Sequence, residues 1–155
     1  MPPRPGPRCR CVRKSSATQE PQRVVVETLA RLQQAFAVRD VETALACFTP
    51  DGAAYGDDLG EHAHGAEELR LFLAEVFEES FALGWEVGEV WARHRGGVLW
   101  FVASTEAVLT YPEGLEERLP FQLSGTLSHS RRHGWRFELF NGTQPVTQAR
   151  ELLIA

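Results

Sequence analysis

Apolar and polar residues alternate most clearly in the second half of the chain, where the pattern predicts antiparallel strands. From residue 121 to residue 128 every second position is apolar or glycine, and the positions between are polar, which is the period of a strand with one buried face. Residues 97–142 are interpreted as three consecutive strands, with a fourth strand over 85–94 before them. A sheet with one apolar face needs a cover, so helices are expected upstream.

Three upstream segments have helical spacing. The first segment carries its apolar stripe at Val25, Leu29, Leu32 and Phe36. Pro21 suits the first turn of this helix. Asp40 is expected to cap a short second helix over 41–48. The third helix follows Gly65 and is expected to end at Gly84.

The segment between the second and third helices is predicted to be irregular. Residues 49–52 are interpreted as a turn, 53–57 as a short strand and 58–64 as a loop. The polar residues here are Asp57, Asp58, Glu61, His62 and His64. Carboxylates and imidazoles can bind a divalent metal, but the sequence does not show that they converge. A solvated loop is the favoured interpretation, and no metal site is expected.

The register of the last two strands can be argued from their apolar residues. One face of the last strand carries Trp135, Phe137, Leu139 and Asn141. Directly opposed residues share a face, so Leu127 should pair with Phe137, Gly125 with Leu139, and Leu123 with Asn141. Residues 131–133 are then the loop, with Gly134 free to adopt a positive φ. A slip of one residue is rejected because it would place Glu138 under the helices.

Glu106 has two alternative orientations, which depend on the length of the loop near Gly114. If the loop has three residues, Tyr111 pairs with Leu115, Thr105 faces Phe121, and Glu106 points away from the helices. A four-residue loop reverses this. Burial of an unpaired carboxylate is costly, so the outward orientation is favoured.

Composition places the chain among single-domain soluble proteins and limits its partners. The 155 residues carry 16 basic and 21 acidic side chains, and five of the basic residues lie in the first 19. The remainder is therefore acidic and a poor nucleic-acid binder, and no apolar run suits a membrane span. Cys9, Cys11 and Cys47 form no redox or zinc motif, so a reducing, cytoplasmic compartment is expected.

Domain boundaries follow from the same composition. Residues 1–20 hold four prolines and no hydrophobic period, and are predicted to be a disordered basic tail. A solvated extension is favoured over an anchor for nucleic acid or anionic lipid. Residues 21–145 form the expected domain, and residues 146–155 a short tail.

The order of these elements resembles the SnoaL-like group of the nuclear transport factor 2-like superfamily, relatives of the ketosteroid isomerases. The resemblance is carried by residues 36–48, 49–52, 61–65, 98–104 and 134–137, and covers about residues 22–145. It implies a cone-shaped α+β fold of the cystatin-like type, in which helices pack on the concave face of a curved antiparallel sheet. The mouth of such a cone is a natural small-molecule site.

The resemblance to ketosteroid isomerases argues against their chemistry in this chain. Their oxyanion-hole tyrosine would fall at Leu32 and their catalytic aspartate at Gly56. Leucine donates no hydrogen bond and glycine accepts no proton. The catalytic residues are therefore left unassigned, and no cofactor is expected.

The leading functional hypothesis is a pocket that binds a small hydrophobic molecule. The candidate pocket residues are Leu32, Phe36, Phe48, Tyr55, Asp57, Leu123, His129, Trp135, Phe137, Leu139 and Asn141. The alternatives are an isomerase, cyclase or hydrolase that uses acid–base groups in the cone, and a non-catalytic interaction module. Trp100 and Val102, opposite Phe101 and Ala103 on their strand, predict a homodimer through the outer face of the sheet.

Overall fold

The computed structural model describes residues 20–145 as three helices and six strands. The helices are α1 (Glu20–Val38), α2 (Val41–Leu45) and α3 (Gly65–Glu78). The strands are β1 (Phe48–Tyr55), β2 (His62–His64), β3 (Ala82–Arg95), β4 (Val98–Thr110), β5 (Glu116–Ser130) and β6 (Gly134–Thr143). The predictions for the two tails, Cys9 and Cys11 included, lie outside the described residues.

The six strands form one sheet in the order β2-β1-β6-β5-β4-β3. The predicted α+β cone is confirmed, with one correction to the sheet. Strand β1 runs parallel to β6, so the sheet is mixed and not wholly antiparallel. Helix α3 and four strands, β2 to β5, lie between β1 and β6 along the chain, and parallel neighbours need such a long connection.

The predicted apolar stripe of α1 is buried against the concave face of the sheet. Val25, Leu29 and Leu32 are fully buried, and they belong to the same core as Phe101 and Phe137 of the sheet. None of the described helices is long and apolar enough to span a membrane.

Arg39 joins the end of α1 to the end of α3. It has a φ of 55°, the left-handed conformation that commonly terminates a helix. Its guanidinium donates to the carbonyl oxygens of Phe77 at 2.7 Å and Glu79 at 3.0 Å. These bonds satisfy carbonyl groups that the last turn of α3 leaves free.

Asp40 caps α2 as predicted, because its carboxylate accepts from the Thr43 N–H at 3.1 Å.

Several predicted boundaries between Phe48 and Trp85 are wrong. Residues 49–52 lie inside β1, where they form an irregularity between the pairs Phe48–Phe137 and Ala53–Leu139. The turn residues therefore mark a bulge and not a chain reversal. The predicted loop 58–64 includes β2. Helix α3 ends at Glu78, not Gly84, because the alternating segment after it already belongs to β3.

The predicted register of β5 and β6 is correct at Leu127–Phe137 and wrong beyond it. Glu138 is an extra residue in β6, so Leu139 pairs with Thr126 and Asn141 with Ser124. The bulge has a physical reason. Phe137 and Phe140 both reach the concave face, although residues three apart in a regular strand point to opposite faces. An added Cβ at Gly125 would overlap the Leu139 carbonyl, so this close approach requires glycine.

The connection between β4 and β5 follows the favoured prediction. The Tyr111 N–H donates to the Leu115 carbonyl at 2.9 Å, and Thr105 lies opposite Phe121. The three-residue loop is therefore confirmed. Glu106 points outward and pairs with Arg118 at 2.8 Å. Gly134 has the predicted positive φ, 68°.

Candidate functional site

A cavity of about 280 Å³ opens at the mouth of the cone, between α3 and the concave face of the sheet. Phe36, Phe72 and Val76 supply the helical wall. The strand wall consists of Leu83, Trp85, Ala107, Phe121, Leu123 and Phe140. Phe36 and Trp85 pack edge to face with ring centroids 5.2 Å apart, and both are nearly fully buried. The cavity therefore has rigid, apolar walls, which are typical of a small-molecule site.

Asp57 lies at the rim of the cavity and fastens the end of β6 to the end of β1. Its carboxylate accepts a hydrogen bond from the backbone N–H of Gln144 at 3.0 Å. Both residues line the cavity. Because the Asp57 carboxylate is engaged by a backbone donor, its first role is to hold the rim together.

Glu61 is the second carboxylate at the rim, and its own loop fixes its position. The Gly56 N–H donates to the Glu61 carbonyl at 2.7 Å, and the Glu61 N–H donates to the Asp58 carbonyl at 3.0 Å. The Glu61 Oε2 accepts from the Asp58 N–H at 3.1 Å. These three bonds close the loop 56–61, so the carboxylate is held above the cavity opening.

Gly56 leaves the space that this carboxylate occupies. A Cβ added at Gly56 would overlap all three atoms of the Glu61 carboxyl group. These atoms are the far end of a flexible side chain, so a larger residue at position 56 would displace the Glu61 carboxylate from its present place. The Glu61 carboxylate thus occupies the space into which a side chain at position 56 would project.

The structure brings some of the predicted pocket residues to this cavity and not others. Phe36, Tyr55, Asp57 and Leu123 line it. Leu32, Phe48 and Phe137 belong to the buried core. His129 and Trp135 lie away from the mouth, next to the loop between β5 and β6, and pack on each other with ring centroids 5.2 Å apart.

Asn141 and Leu139 lie on the outer face, so their predicted orientation toward the pocket is wrong. Because Glu138 is an extra residue in β6, every later residue of this strand points to the face opposite to the predicted one. Asn141 lines a shallow outer depression, and its Nδ2 donates to Ser124 Oγ at 3.4 Å. Phe140 and Gly142 take the places in the cavity that were expected for Leu139 and Asn141.

Tyr55 borders both the cavity and the outer depression, and its hydroxyl is engaged by a histidine. Its hydroxyl lies 2.5 Å from Nε2 of His64, and its ring stacks on His62 at 5.7 Å. These three aromatic groups do not create a metal site: within residues 20–145, no three His, Cys, Asp or Glu side chains are grouped to hold a metal ion.

Cys47 is a small core residue. Burial raises the pKa of its thiol, against a weaker opposite effect of Arg31, so the reactive thiolate is disfavoured.

Sequence reasoning missed most of the helical wall and the role of Glu61. Phe72 and Val76 fall within the third predicted helix, but which part of that helix stays uncovered depends on the curvature of the sheet. The spacing of Phe137 and Phe140 was the available signal for the bulge, because two aromatic residues three apart do not suit one face of a regular strand.

A curved six-stranded sheet with helices on its concave face defines the class of the protein, which is the nuclear transport factor 2-like fold. The sequence profile of the SnoaL-like domain matches residues 29–131, and the chain belongs to this family. No curated protein matches the chain.

Solved structures with little sequence identity share the fold. A ketosteroid isomerase-like protein from Erwinia carotovora atroseptica has a TM-score of 0.63 at 22% identity, over 79% of this chain and 94% of that one. A cystatin-like domain of unknown function from Nostoc punctiforme has a TM-score of 0.66 at 15% identity, over 90% and 85%. ActVI-ORFA from Streptomyces coelicolor has a TM-score of 0.69 at 12% identity, over 79% and 96%. At such identities the likeness shows the fold alone.

Proposed function

We propose that this protein binds a compact, largely apolar molecule in the cavity at the mouth of the cone. The observation that carries the proposal is the cavity itself, about 280 Å³ with apolar walls and polar groups confined to the rim. Ligand pockets typically measure roughly 300–1,000 Å³, so this one is at the small end. It suits a molecule of up to about three rings.

The charge of the rim supports a ligand without a negative charge. Asp57 and Glu61 are the carboxylates among the cavity-lining residues, and no Lys, Arg or His of the described chain lines this cavity. An anionic ligand would bring a like charge close to two carboxylates in a partly desolvated site.

Two fluorescent probes that differ by one sulfonate test this proposal. N-phenyl-1-naphthylamine is uncharged, and 1-anilinonaphthalene-8-sulfonate has the same aromatic skeleton with a negative charge. We expect the uncharged probe to bind at least about tenfold more tightly, a difference of about 1.4 kcal/mol. Equal affinity for the two probes would contradict the charge argument, and no binding of either would contradict the proposed function.

Two variants locate the probe. Ala107 is buried and lines the cavity, so Ala107→Phe should fill the space and weaken binding of the uncharged probe about tenfold or more. Asn141→Leu is the matched control, because Asn141 lies on the outer face, and it should leave binding unchanged. The reverse pattern would place the probe outside the cone.

The outer face of the sheet supports a second proposal, a homodimer. Trp91 is 48% exposed and Trp100 is half-buried, and both lie on the face opposite the core beside Val102. Large apolar groups on a sheet face are typical of a surface that a partner covers. A second copy of this chain would supply that cover.

A further inference from the structure

A groove runs along α3 and joins the cavity at the mouth of the cone. This α3 groove has a volume of about 470 Å³ and continues from Glu61 to Glu79. It shares part of its lining with the cavity, namely Glu61, Phe72, Val76, Phe81 and Leu83. Because the two spaces meet along these residues, one elongated ligand can occupy both.

One face of α3 supplies both the apolar and the charged lining of the groove. Residues three or four apart in a helix share a face, and those that line the groove are Glu68, Leu71, Phe72, Glu75 and Val76, followed by Glu79. Leu71 is 67% exposed, so apolar surface borders the carboxylates. No Lys or Arg of the described residues lines this groove, and His62 is its one imidazole.

The charges at the two ends of α3 have different structural explanations. Glu68 lies in the first turn, where its carboxylate accepts from the His64 N–H at 2.7 Å and where negative charge is favoured. The last turn of α3 contains Glu75 and no basic residue, and Glu79 follows it. Negative charge at this end opposes the helix dipole, and carboxylates four residues apart repel each other. A bound cation would relieve both effects.

Side chains of the described chain do not neutralise these carboxylates. None of the ion pairs among residues 20–145 includes Glu61, Glu75 or Glu79. Arg39 lies at the same end of α3, but its guanidinium donates to backbone carbonyl oxygens and Arg39 does not line the groove. Oε2 of Glu61 accepts from the Asp58 N–H, whereas its Oε1 receives no hydrogen bond within the described part of the chain.

We propose that the ligand is an organic cation, whose apolar ring system fills the cavity and whose protonated amine lies in the α3 groove with Glu61 and Glu75 as acceptors. Hydrogen bonds between an ammonium group and a carboxylate are stronger than neutral ones. Phe72 and Phe81 line both spaces and add aromatic faces, which attract cations. The proposal rests on the proposed binding function and adds the charge of the ligand.

Three naphthalene derivatives that differ in their terminal group test the proposal. They are 2-(1-naphthyl)ethylamine, which is protonated at pH 7, the neutral 2-(1-naphthyl)ethanol and the anionic 1-naphthylacetate. Isothermal titration calorimetry and displacement of N-phenyl-1-naphthylamine measure their affinities. At low salt we expect the amine to bind at least about tenfold more tightly than the alcohol, and the acid to bind most weakly. This advantage of the amine should shrink between about 0.01 M and about 1 M NaCl, because salt screens partly exposed charges.

Two variants locate the amine, and a third is their matched control. Glu61→Gln and Glu75→Gln should each weaken binding of the amine about fivefold and leave binding of the alcohol unchanged. Unchanged affinity for the alcohol shows at the same time that the cavity is intact. Glu78→Gln removes the same charge from the same end of α3, but Glu78 does not line the groove, so it should leave both affinities unchanged.

The outcomes separate this proposal from the proposed function. Equal affinity for amine and alcohol at low salt, with N-phenyl-1-naphthylamine still bound, would overturn the cation proposal alone. An amine that binds more tightly but responds no more to Glu61→Gln and Glu75→Gln than to Glu78→Gln would overturn it as well, because the charge would then lie elsewhere. Failure of every uncharged compound to bind would instead contradict the proposed function.

Discussion

The Ser128 hydroxyl donates to the Glu138 carboxylate at 2.8 Å, across the bulge that shifts the register of β6. The Thr49 hydroxyl donates to the other carboxylate oxygen at 3.0 Å. The extra residue of the strand is thus bonded to both neighbouring strands, β5 and β1. Such hydrogen bonds to a charged group stabilise the bulge.

Glu138→Ala should lower the free energy of unfolding by about 1–3 kcal/mol, because the hydroxyls of buried Thr49 and half-buried Ser128 lose their acceptor. Ser128→Ala removes only one donor and should cost about 0.5–1.5 kcal/mol. Urea unfolding of both variants measures the difference. Equal stability of Glu138→Ala and the native protein would show that the carboxylate does not hold the bulge.

Leu32→Ala separates the core from the cavity. Leu32 is fully buried and does not line the cavity, so its truncation should cost about 2–5 kcal/mol while the folded protein keeps its affinity for N-phenyl-1-naphthylamine. Phe36 lines the cavity as well as the core, so Phe36→Ala should reduce both stability and affinity. If folded Leu32→Ala lost affinity, Leu32 would have to be counted among the residues that contact the ligand.

Trp100→Glu tests the proposed homodimer. A charge on the outer face would be buried by a second subunit at high cost, so the variant should sediment as a monomer where the native chain sediments as a dimer. Glu106→Gln lies on the same face but at the Arg118 ion-pair cluster, and serves as a control for a change of charge. A native chain that is monomeric at micromolar concentration would contradict the proposal.

The hydrogen bonds of Asp40 predict how the stability of the folded protein changes with pH. The hydroxyl and the backbone N–H of Thr43 hold the pKa of Asp40 below its usual range. The charged form is therefore favoured in the folded state. Its contribution to stability is present above the pKa of the unfolded chain and is lost as pH falls through the lowered value.

Asp40→Asn keeps an N-cap but does not titrate. The free energy of unfolding of this variant should fall less steeply than that of the native protein as pH decreases from about 5 to 3. Urea unfolding at several pH values measures both curves. Parallel curves would show that the cap makes no pH-dependent contribution.

Regular periodicity explains which parts of the fold could be predicted. The stripe of α1 and the pair Leu127–Phe137 follow from repeating patterns of apolar residues, and the three-residue loop after Tyr111 follows from the cost of burying Glu106. The bulge at Glu138 breaks such a repeat with one residue, and its signal in the sequence is the three-residue spacing of Phe137 and Phe140. Strands β1 and β2 were misjudged because turn residues and polar residues interrupt them.

The candidate site was predicted less well than the fold, for a different reason. A cavity is the space that packing leaves unfilled, so its lining depends on where α3 stops covering the sheet. Phe36 and Leu123 were found because they lie on strongly periodic elements. Glu61 was not recognised as a rim group because its placement depends on the hydrogen bonds that close the loop 56–61.

The hydrogen bond between Gln144 and Asp57 has a practical consequence for protein engineering. It fixes the carboxyl-terminal end of the described chain at the rim of the cavity. Helix α1, by contrast, begins at Glu20 and spans 19 residues, which at 1.5 Å per residue separates its first turn from its cavity-lining end by about 25 Å. An affinity tag or fused reporter is best joined before α1, since a partner attached directly after residue 145 would crowd the opening through which a ligand must enter.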